Sequence, residues 1–329
     1  MMKPSLGHRN RQRNNRGAAL LAAMLTVTLV ATLAAAALWQ QWRGVAIETA
    51  ERSRIESAWI LTGALDWSRL ILREDGRSGS GSDHLAEPWA TPLAEARLSS
   101  FLSSDQTVSD DGQEAFLSGR ISDAQARLNV SNLVQGQKID PAALAAFAKL
   151  FELLGLPPDQ LATLAENLRL ALDPGVNPST TTAALAPQRV EQLVWLGLPR
   201  ATLEILKPYI TLLPEATPVN LNTASAEVIY ACVPKVDLSD AKRLVQQRER
   251  SPFGNITEAS KAIGAGFTLV PTQQDIKTSY FEVRGRLRLD QSVLEELSLV
   301  QRIGSGSMTE VKTLWRERRV SENTPTATP

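Results

Sequence analysis

The sequence predicts an α+β fold: a membrane-spanning N-terminal helix, an antiparallel sheet, and an all-helical domain inserted into that sheet. Three observations support this prediction. Residues 17–42 carry no charged side chain. Residues 135–266 have the apolar periodicity of helices, whereas the segments on either side alternate apolar and polar residues as strands do. The simplest arrangement is one sheet with the helices inserted between its strands.

The composition limits the functions that the chain can have. One cysteine, Cys232, excludes an intrachain disulfide, and there are only two histidines. The net charge of the 329 residues is zero, but residues 1–17 carry five cations and no acid, so the remainder is acidic. An acidic domain is poorly suited to non-specific nucleic-acid binding. Because no phosphate-binding loop, nucleophile elbow or metal-ligand spacing is found, we expect neither enzymatic activity nor a cofactor.

The uncharged segment predicts a membrane span. As a helix, its 26 residues extend about 39 Å, more than the roughly 30 Å of the hydrocarbon core. Trp39 and Trp42 lie at its far end, where interfacial tryptophans concentrate, and the cations precede it. We therefore expect a single pass, with the N-terminus cytoplasmic and the bulk outside. A secretory signal peptide cut near Ala35 and Ala37, or a plain uncleaved anchor, are the alternatives.

The junction between the basic and apolar segments resembles the type III leader of pilins and pseudopilins. Basic residues and Gly17 directly precede Ala18. The resemblance implies that a prepilin peptidase removes residues 1–17 by cutting between Gly17 and Ala18, leaving the membrane helix, residues 18–42, on the mature chain. A glycine does not obstruct the extended backbone that a protease binds. Most such subunits have glutamate as the fifth mature residue, whereas this chain has Ala22, which suits a subunit at a filament tip.

The helix is predicted to continue beyond the membrane as a long spine. Residues that share one helical face recur there: Ile55, Ala58, Trp59, Thr62, Leu65 and Leu72. The spine is expected to stop at Asp75-Gly76, where a Gly/Ser linker begins.

The pattern then changes from strands to helices. Residues 114–133 are interpreted as a β-hairpin, because apolar and polar residues alternate on both sides of a turn at Ser122-Asp123. Asp140-Pro141 is a cap followed by proline at the first helical position, and that helix is predicted to end at Gly155. Pro158 opens a second helix, and two short helices follow.

Residues 218–264 resemble a helix–hairpin–helix, or sterile-alpha-motif-like, element. Thr223 or Ser225 is expected to cap its first helix, Ser239 its second and Asn255 its third.

A DNA-binding role is a second hypothesis for this element, as part of a membrane-anchored DNA-uptake receptor. DNA-binding members donate backbone N–H groups from a Gly-x-Gly turn to phosphate. Here the turn is Pro234-Lys235-Val236-Asp237-Leu238, in which Asp237 would repel phosphate. A packing scaffold is therefore favoured, and no nucleic-acid partner is expected.

The C-terminal part predicts three antiparallel strands from residue 279 onward. In the first, four apolar residues (Phe281, Val283, Leu287, Leu289) alternate with four charged ones (Glu282, Arg284, Arg286, Arg288). Residues 321–329 are expected to be a disordered polar tail.

Nearly the whole chain is similar to the minor pseudopilin K family of type II secretion systems (GspK). The similarity rests on the leader without glutamate, on ISDAQARLNVSNL (residues 121–133), on the run from VWLGLPR to SAEVIYA (residues 194–231), and on the C-terminal strands. It implies a pilin-like domain in two parts, residues 43–134 and 267–320, around the inserted domain, residues 135–266. It also implies an inner-membrane location with a periplasmic bulk. One departure is AENLRLALDPG, which keeps only Asp173 of the family's Asp-Trp-Ile-Asp run.

The resemblance implies a non-catalytic function, a minor pseudopilin at the tip of the pseudopilus that nucleates filament assembly and aids export across the outer membrane. The implied partners are other minor pseudopilins (I and J type), the major pseudopilin, the prepilin peptidase and inner-membrane lipid. A minor pilin of a type IV system is an alternative. Some members are associated with calcium, and loop acids occur here (Asp105, Asp110, Asp111 and Glu114), but without a fixed ligand spacing solvated carboxylates are favoured.

Overall fold

The computed structural model describes residues 11–79, 81–98, 115–173, 184–264, 269–289 and 292–321. They belong to two units, Met1–Trp59 and Ile60–Pro329. Helix α1 (Arg11–Ser78) has 68 residues and ends three residues beyond the predicted stop at Asp75. From Gly17 onward it is, among the described residues, the one helix long and apolar enough to cross a membrane, and its most apolar window is entirely exposed.

The second unit also contains the following elements in chain order: β1 (Leu93–Arg97), β2 (Ala115–Asp123), β3 (Leu128–Asn129), β4 (Val134–Gln135), β5 (Lys138–Ile139), α2 (Pro141–Leu153), α3 (Pro158–Ala171), α4 (Arg200–Leu206), β6 (Ile210–Thr211), β7 (Val219–Asn220), α5 (Ala226–Cys232), α6 (Leu238–Arg250), α7 (Ile256–Ile263), β8 (Gln274–Asp275), β9 (Tyr280–Leu289), β10 (Ser292–Ile303) and β11 (Glu310–Ser321). Short 3₁₀ helices include Ala124–Ala126, Val130–Leu133 and Val190–Leu196.

One antiparallel sheet of five strands has the order β1-β2-β9-β10-β11. The three predicted C-terminal strands are thus confirmed, and β9 buries the predicted apolar residues while its charged residues are partly or fully exposed. The predicted hairpin over residues 114–133 is wrong. Strand β2 pairs with β9, with Leu117 opposite Leu287, and the chain after Asp123 leaves the sheet. Strand β3 pairs in parallel with β6 instead.

The end of α1 packs on one face of the sheet. Leu61, Leu65 and Leu72 are buried there among strand residues such as Leu287 and Val300. Two other residues of the predicted helical face, Ile55 and Trp59, belong to the first unit and are 57 % and 73 % exposed.

Glycines allow this close approach. Gly119 and Gly285 are opposite each other on β2 and β9, and a Cβ at Gly285 would lie 3.2 Å from Leu61 Cδ2. A Cβ at Gly119 would lie 2.9 Å from the carbonyl oxygen of Arg284. Larger residues at these two positions would therefore force the helix or a strand to move.

The inserted domain has a separate core that includes Phe147, Leu164, Leu203, Val228 and Leu244. It is mainly helical, as predicted, but it is not all-helical. Two-residue strands pair within and around it, namely β3 with β6, β4 with β5, and β7 with β8.

Most predicted helix caps are confirmed. Asp140 Oδ1 accepts from the N–H of Ala143 at 2.7 Å, and the side chains of Ser225 and Asn255 accept in the same way at the starts of α5 and α7. The predicted Ser239 cap is wrong. Helix α6 begins two residues earlier, and Asp237 accepts from the N–H of Asp240 while Ser239 Oγ donates to that same carboxylate.

Candidate functional site

The predicted processing site lies inside α1. Gly17 and Ala18 are both exposed, and nothing approaches within 4 Å of a Cβ placed at Gly17. A protease binds an extended backbone, whereas this segment of the free chain is helical. A protease would therefore have to unwind this turn, which glycine makes less costly because of its low helix propensity.

Outside the membrane segment, α1 also exposes apolar side chains. In the second unit, Trp67 is 63 % and Leu70 41 % exposed, and neither belongs to the apolar face that the sequence predicted. In the first unit, Trp59 is exposed as well. Large exposed aromatic residues on a helix are typical of a surface that contacts another protein.

An ion-pair cluster fixes the end of α1 to the sheet. Arg302, at the end of β10, lies 2.5 Å from Asp75 Oδ2 on α1 and also pairs with Asp83. Glu87 is the third acid of this cluster, and its Oε2 also accepts a hydrogen bond from Trp89 Nε1 at 2.7 Å. Oxygens of the three carboxylates lie within 4.8 Å of one another, a separation at which a cation could bind. The guanidinium of Arg302 supplies positive charge to this cluster.

Burial makes two of these carboxylates, Asp75 and Asp83, less acidic. It raises the pKa of Asp75 to about 6, with Glu87 adding to the shift and Arg302 opposing it. Burial also raises the pKa of Asp83, again against Arg302. Burying these negative charges therefore costs free energy, and the positive charge of Arg302 offsets part of that cost.

A second polar cluster joins the sheet to the inserted domain around Asp123. Its Oδ1 accepts from the N–H of Gln125 at 2.7 Å, and its Oδ2 accepts from Asn220 Nδ2 at 2.8 Å and Thr223 Oγ1 at 2.6 Å. Asn220 Nδ2 also donates to the carbonyl of Asp83 at 3.0 Å. Burial raises the pKa of Asp123 to about 6 even though these hydrogen bonds favour the carboxylate.

The run ISDAQARLNVSNL continues this cluster along the chain. Asn129 Nδ2 donates to the carbonyl of Glu215 at 2.7 Å, and its Oδ1 accepts from the N–H of Leu213 at 3.1 Å. Asn132 bonds both backbone groups of Thr217, at 2.8 and 3.0 Å. Thus the two sequence runs singled out above, residues 121–133 and 194–231, hold each other in place.

The hairpin between α5 and α6 lacks a free phosphate site. The carboxylate of Asp237 occupies the start of α6, and the hydrogen bond from Asp240 lowers its pKa. On the other side, Lys149 Nζ donates to the carbonyls of Val233 at 3.1 Å and Val236 at 3.3 Å, and also to that of Tyr230. The groups at both helix ends are therefore satisfied within the chain.

Sequence reasoning missed Lys149, Asp83 and Arg302 as structural centres. The partners named above are 81 to 227 residues away, so no local spacing indicated them. Asp123 was assigned to a turn, although the density of Asp and Asn in an otherwise apolar run was a usable signal. Of the predicted loop acids, Asp105, Asp110, Asp111 and Glu114 lie outside the described residues.

Comparison with known families gives two matches. Both families are described as type II secretion system (T2SS), protein K; one matches residues 126–215 and the other residues 219–276. The matched segments therefore cover most of the inserted domain and its junction with the sheet.

Individual proteins are similar over most of the chain. Type II secretion system protein K of Pseudomonas aeruginosa (strain PAO1) is 27% identical over 320 residues, which cover 90% of this chain and 92% of that protein. The protein of the same description from Pectobacterium carotovorum subsp. carotovorum is 26% identical over 323 residues, covering 88% and 93%.

A solved structure shares the fold. A chain of the crystal structure of the GspK-GspI-GspJ complex from the enterotoxigenic Escherichia coli type 2 secretion system matches with a TM-score of 0.66 and 19% identity. The match covers 83% of this chain and 98% of that chain. It confirms the α+β fold of long helix, antiparallel sheet and helical domain.

Proposed function

We propose that this chain is a minor pseudopilin of the type II secretion system protein K family, and that it occupies the tip of the pseudopilus and nucleates filament assembly. In that position it would aid protein export across the outer membrane. The observation that carries the tip position is the inserted domain, which adds a second apolar core beside the pilin-like sheet. Such bulk is hard to repeat along a closely packed filament, whereas one copy fits at its end.

Ala22 supports the same position. A membrane-embedded glutamate is costly and persists when a partner neutralises it. A subunit with no neighbour above it needs no such carboxylate, and this chain has alanine at the fifth position after the proposed cut.

The apolar part of α1 supports a single-pass membrane anchor. We propose the inner membrane, with a cytoplasmic N-terminus and a periplasmic bulk, because five cations precede the apolar segment. Cleavage between Gly17 and Ala18 by a prepilin peptidase is part of this proposal. The mature helix then remains in contact with membrane lipid until the subunit enters a filament.

We propose that the protein's partners are I- and J-type minor pseudopilins and the major pseudopilin. The similar structure is named as a complex of GspK with GspI and GspJ. In this chain, the exposed Trp67 and Leu70 provide an apolar surface on the spine to which a second helix could bind. We propose no catalytic role and no cofactor. Titration of the chain with calcium would measure directly whether it binds this ion.

The test is co-purification of the full chain with I- and J-type minor pseudopilins from the same secretion system, expressed together with a prepilin peptidase. We expect a stable complex in which mass spectrometry finds this chain beginning at Ala18. Trp67→Glu should reduce its recovery in the complex, because it places a charge on the spine surface.

The control is Trp195→Glu, which makes the same change on the inserted domain, where Trp195 is 50 % exposed. It should leave complex formation unchanged. Failure of the unmodified chain to associate with either partner would count against the tip proposal, and a mature chain beginning near Ala37 would lack most of the apolar segment that the proposal requires.

A further inference from the structure

A cleft of about 200 Å³ lies between the inserted domain and the sheet face opposite α1. Leu297 and Leu299 of β10 and Trp315 of β11 line it on the sheet side, and residues 188–191 and 210–212 line it on the other. Small-molecule sites usually have roughly 300–1,000 Å³, so this cleft suits one or two side chains better than a cofactor.

The lining of the cleft carries an excess of positive charge. Five of its side chains are cationic, namely Arg127, Arg189, Lys207, Arg284 and Arg319. Three are acidic, namely Glu191, Glu282 and Glu317. The lining therefore has two more positive than negative charges, although the chain as a whole is neutral.

Two of the five cations are neutralised by ion pairs. Arg127 pairs with Glu282 at 2.7 Å, and Lys207 pairs at 2.8 Å with Glu204, which lies outside the lining.

The other three cations carry the available positive charge. Glu317 is shared by two arginines, Arg189 and Arg319, the second at 2.8 Å. Arg284 is exposed and makes no ion pair with any residue that the structure describes. The Arg189 guanidinium also lies 4.5 Å from the centre of the Trp315 ring, which limits its hydration.

We propose that this cleft binds carboxylate side chains of an extended acidic segment of a partner protein. The excess charge favours a negatively charged partner, and the partly apolar lining strengthens each ion pair. The three carboxylates in the lining and the acidic remainder of the chain disfavour a nucleic acid. The inference is independent of the proposed tip position, because binding can be measured without a filament.

The test uses the full chain in detergent micelles and a short fluorescein-labelled peptide of alternating Glu and Ser, followed by fluorescence anisotropy at low ionic strength. We expect saturable binding that weakens as salt is added. A peptide with Gln in place of Glu should not bind. Arg284→Glu should weaken binding by about tenfold or more, because it replaces attraction with repulsion.

The control variant is Lys242→Glu, which makes the same charge change on the exposed side of α6, outside the cleft. It should bind the acidic peptide as the unmodified chain does, and both variants should keep the unmodified circular dichroism spectrum. The proposal is overturned if the acidic peptide does not bind, if both variants weaken binding equally, or if a single-stranded oligonucleotide binds more tightly than the peptide.

Discussion

Asp123 is a buried carboxylate that holds the junction between sheet and inserted domain. It accepts hydrogen bonds from Gln125, Asn220 and Thr223, so it joins two parts of the chain that are about a hundred residues apart. Its burial nevertheless disfavours the charged form, and the pKa rises from 3.8 to about 6. Because the pKa of Asp123 differs between the folded and the unfolded chain, the free energy of unfolding depends on pH.

The direction of that dependence follows from the raised pKa. The folded chain holds the proton of Asp123 more tightly than the unfolded chain, so the free energy of unfolding should rise as pH falls from 7 through 6 toward 4, by at most about 3 kcal/mol. Asp75 contributes in the same direction. Urea unfolding of the full chain in micelles, followed by tryptophan fluorescence, measures this slope.

Asp123→Asn should lower stability and make the pH slope smaller, because the titrating group is gone. Asp159→Asn, an exposed change at the start of α3, should keep the slope. A free energy of unfolding that decreases between pH 7 and pH 5 in the unmodified chain would contradict the prediction.

Residue-level prediction from sequence succeeded where the interaction is local. The Asp140 and Asn255 caps were found because acceptor and donor lie three residues apart. Ser239 was assigned wrongly because Asp237 lies two residues before it and caps equally well, so spacing alone did not fix where α6 begins. Asp123 was assigned to a turn, since Asn220 and Thr223 lie about a hundred residues further along.

At the level of elements, the sequence predicted four strands of the sheet, β2, β9, β10 and β11, but it missed β1 and did not predict all of the strand partners. Alternation in β2 is the same whether it pairs with the next segment or with β9, and the observed partner of Leu117 is Leu287. Apolar spacing on α1 likewise shows that a face exists, without showing what covers it. Leu65 contacts the sheet, whereas Trp59 is exposed in the single chain.

Lys149 connects two helices of the inserted domain. It lies on α2, and its Nζ donates to the carbonyls of Tyr230, Val233 and Val236 at the end of α5 and just beyond it. The ammonium thereby satisfies carbonyls that a helix end leaves unpaired, and burial lowers its pKa.

Lys149→Met should therefore reduce the free energy of unfolding by about 2–4 kcal/mol, because three part-buried carbonyls lose their donor while the apolar stem is kept. Lys138→Met, on the exposed strand β5, should change it by less than about 0.5 kcal/mol. Urea unfolding curves of both variants measure these changes in the free energy of unfolding. Equal curves would show that water satisfies the carbonyls as well as Lys149 does.

On the scale of the whole molecule, two cores are joined by polar contacts. The sheet core includes Leu72 and Phe281, and the core of the inserted domain includes Phe147 and Val228. Between them lie Asp123 and its partners, together with the asparagines of residues 121–133. Fold class and the order of these parts were predictable from periodicity, whereas the polar junction was not, because the bonds that connect its two sides join residues distant in sequence.

This arrangement predicts that sheet and inserted domain unfold together, with Asn220 as a coupling residue. Its side chain bonds Asp123, the carbonyl of Asp83 and the N–H of Asn222, so Asn220→Ala should leave a buried carboxylate with fewer donors. Hydrogen exchange with increasing urea should show peptides from β2 and α6 opening at one urea concentration in the unmodified chain and at two different ones in the variant.

The matched control removes an asparagine that acts within the inserted domain alone. Asn167 Nδ2 donates to the carbonyl of Leu196 at 2.9 Å, so Asn167→Ala should destabilise that domain while β2 and α6 still open together. If β2 and α6 also open together in Asn220→Ala, apolar contacts such as those of Leu213 with Tyr280 and Leu299 must couple the two cores instead. In that case the buried polar cluster would fix the orientation of the inserted domain without making the two parts cooperative.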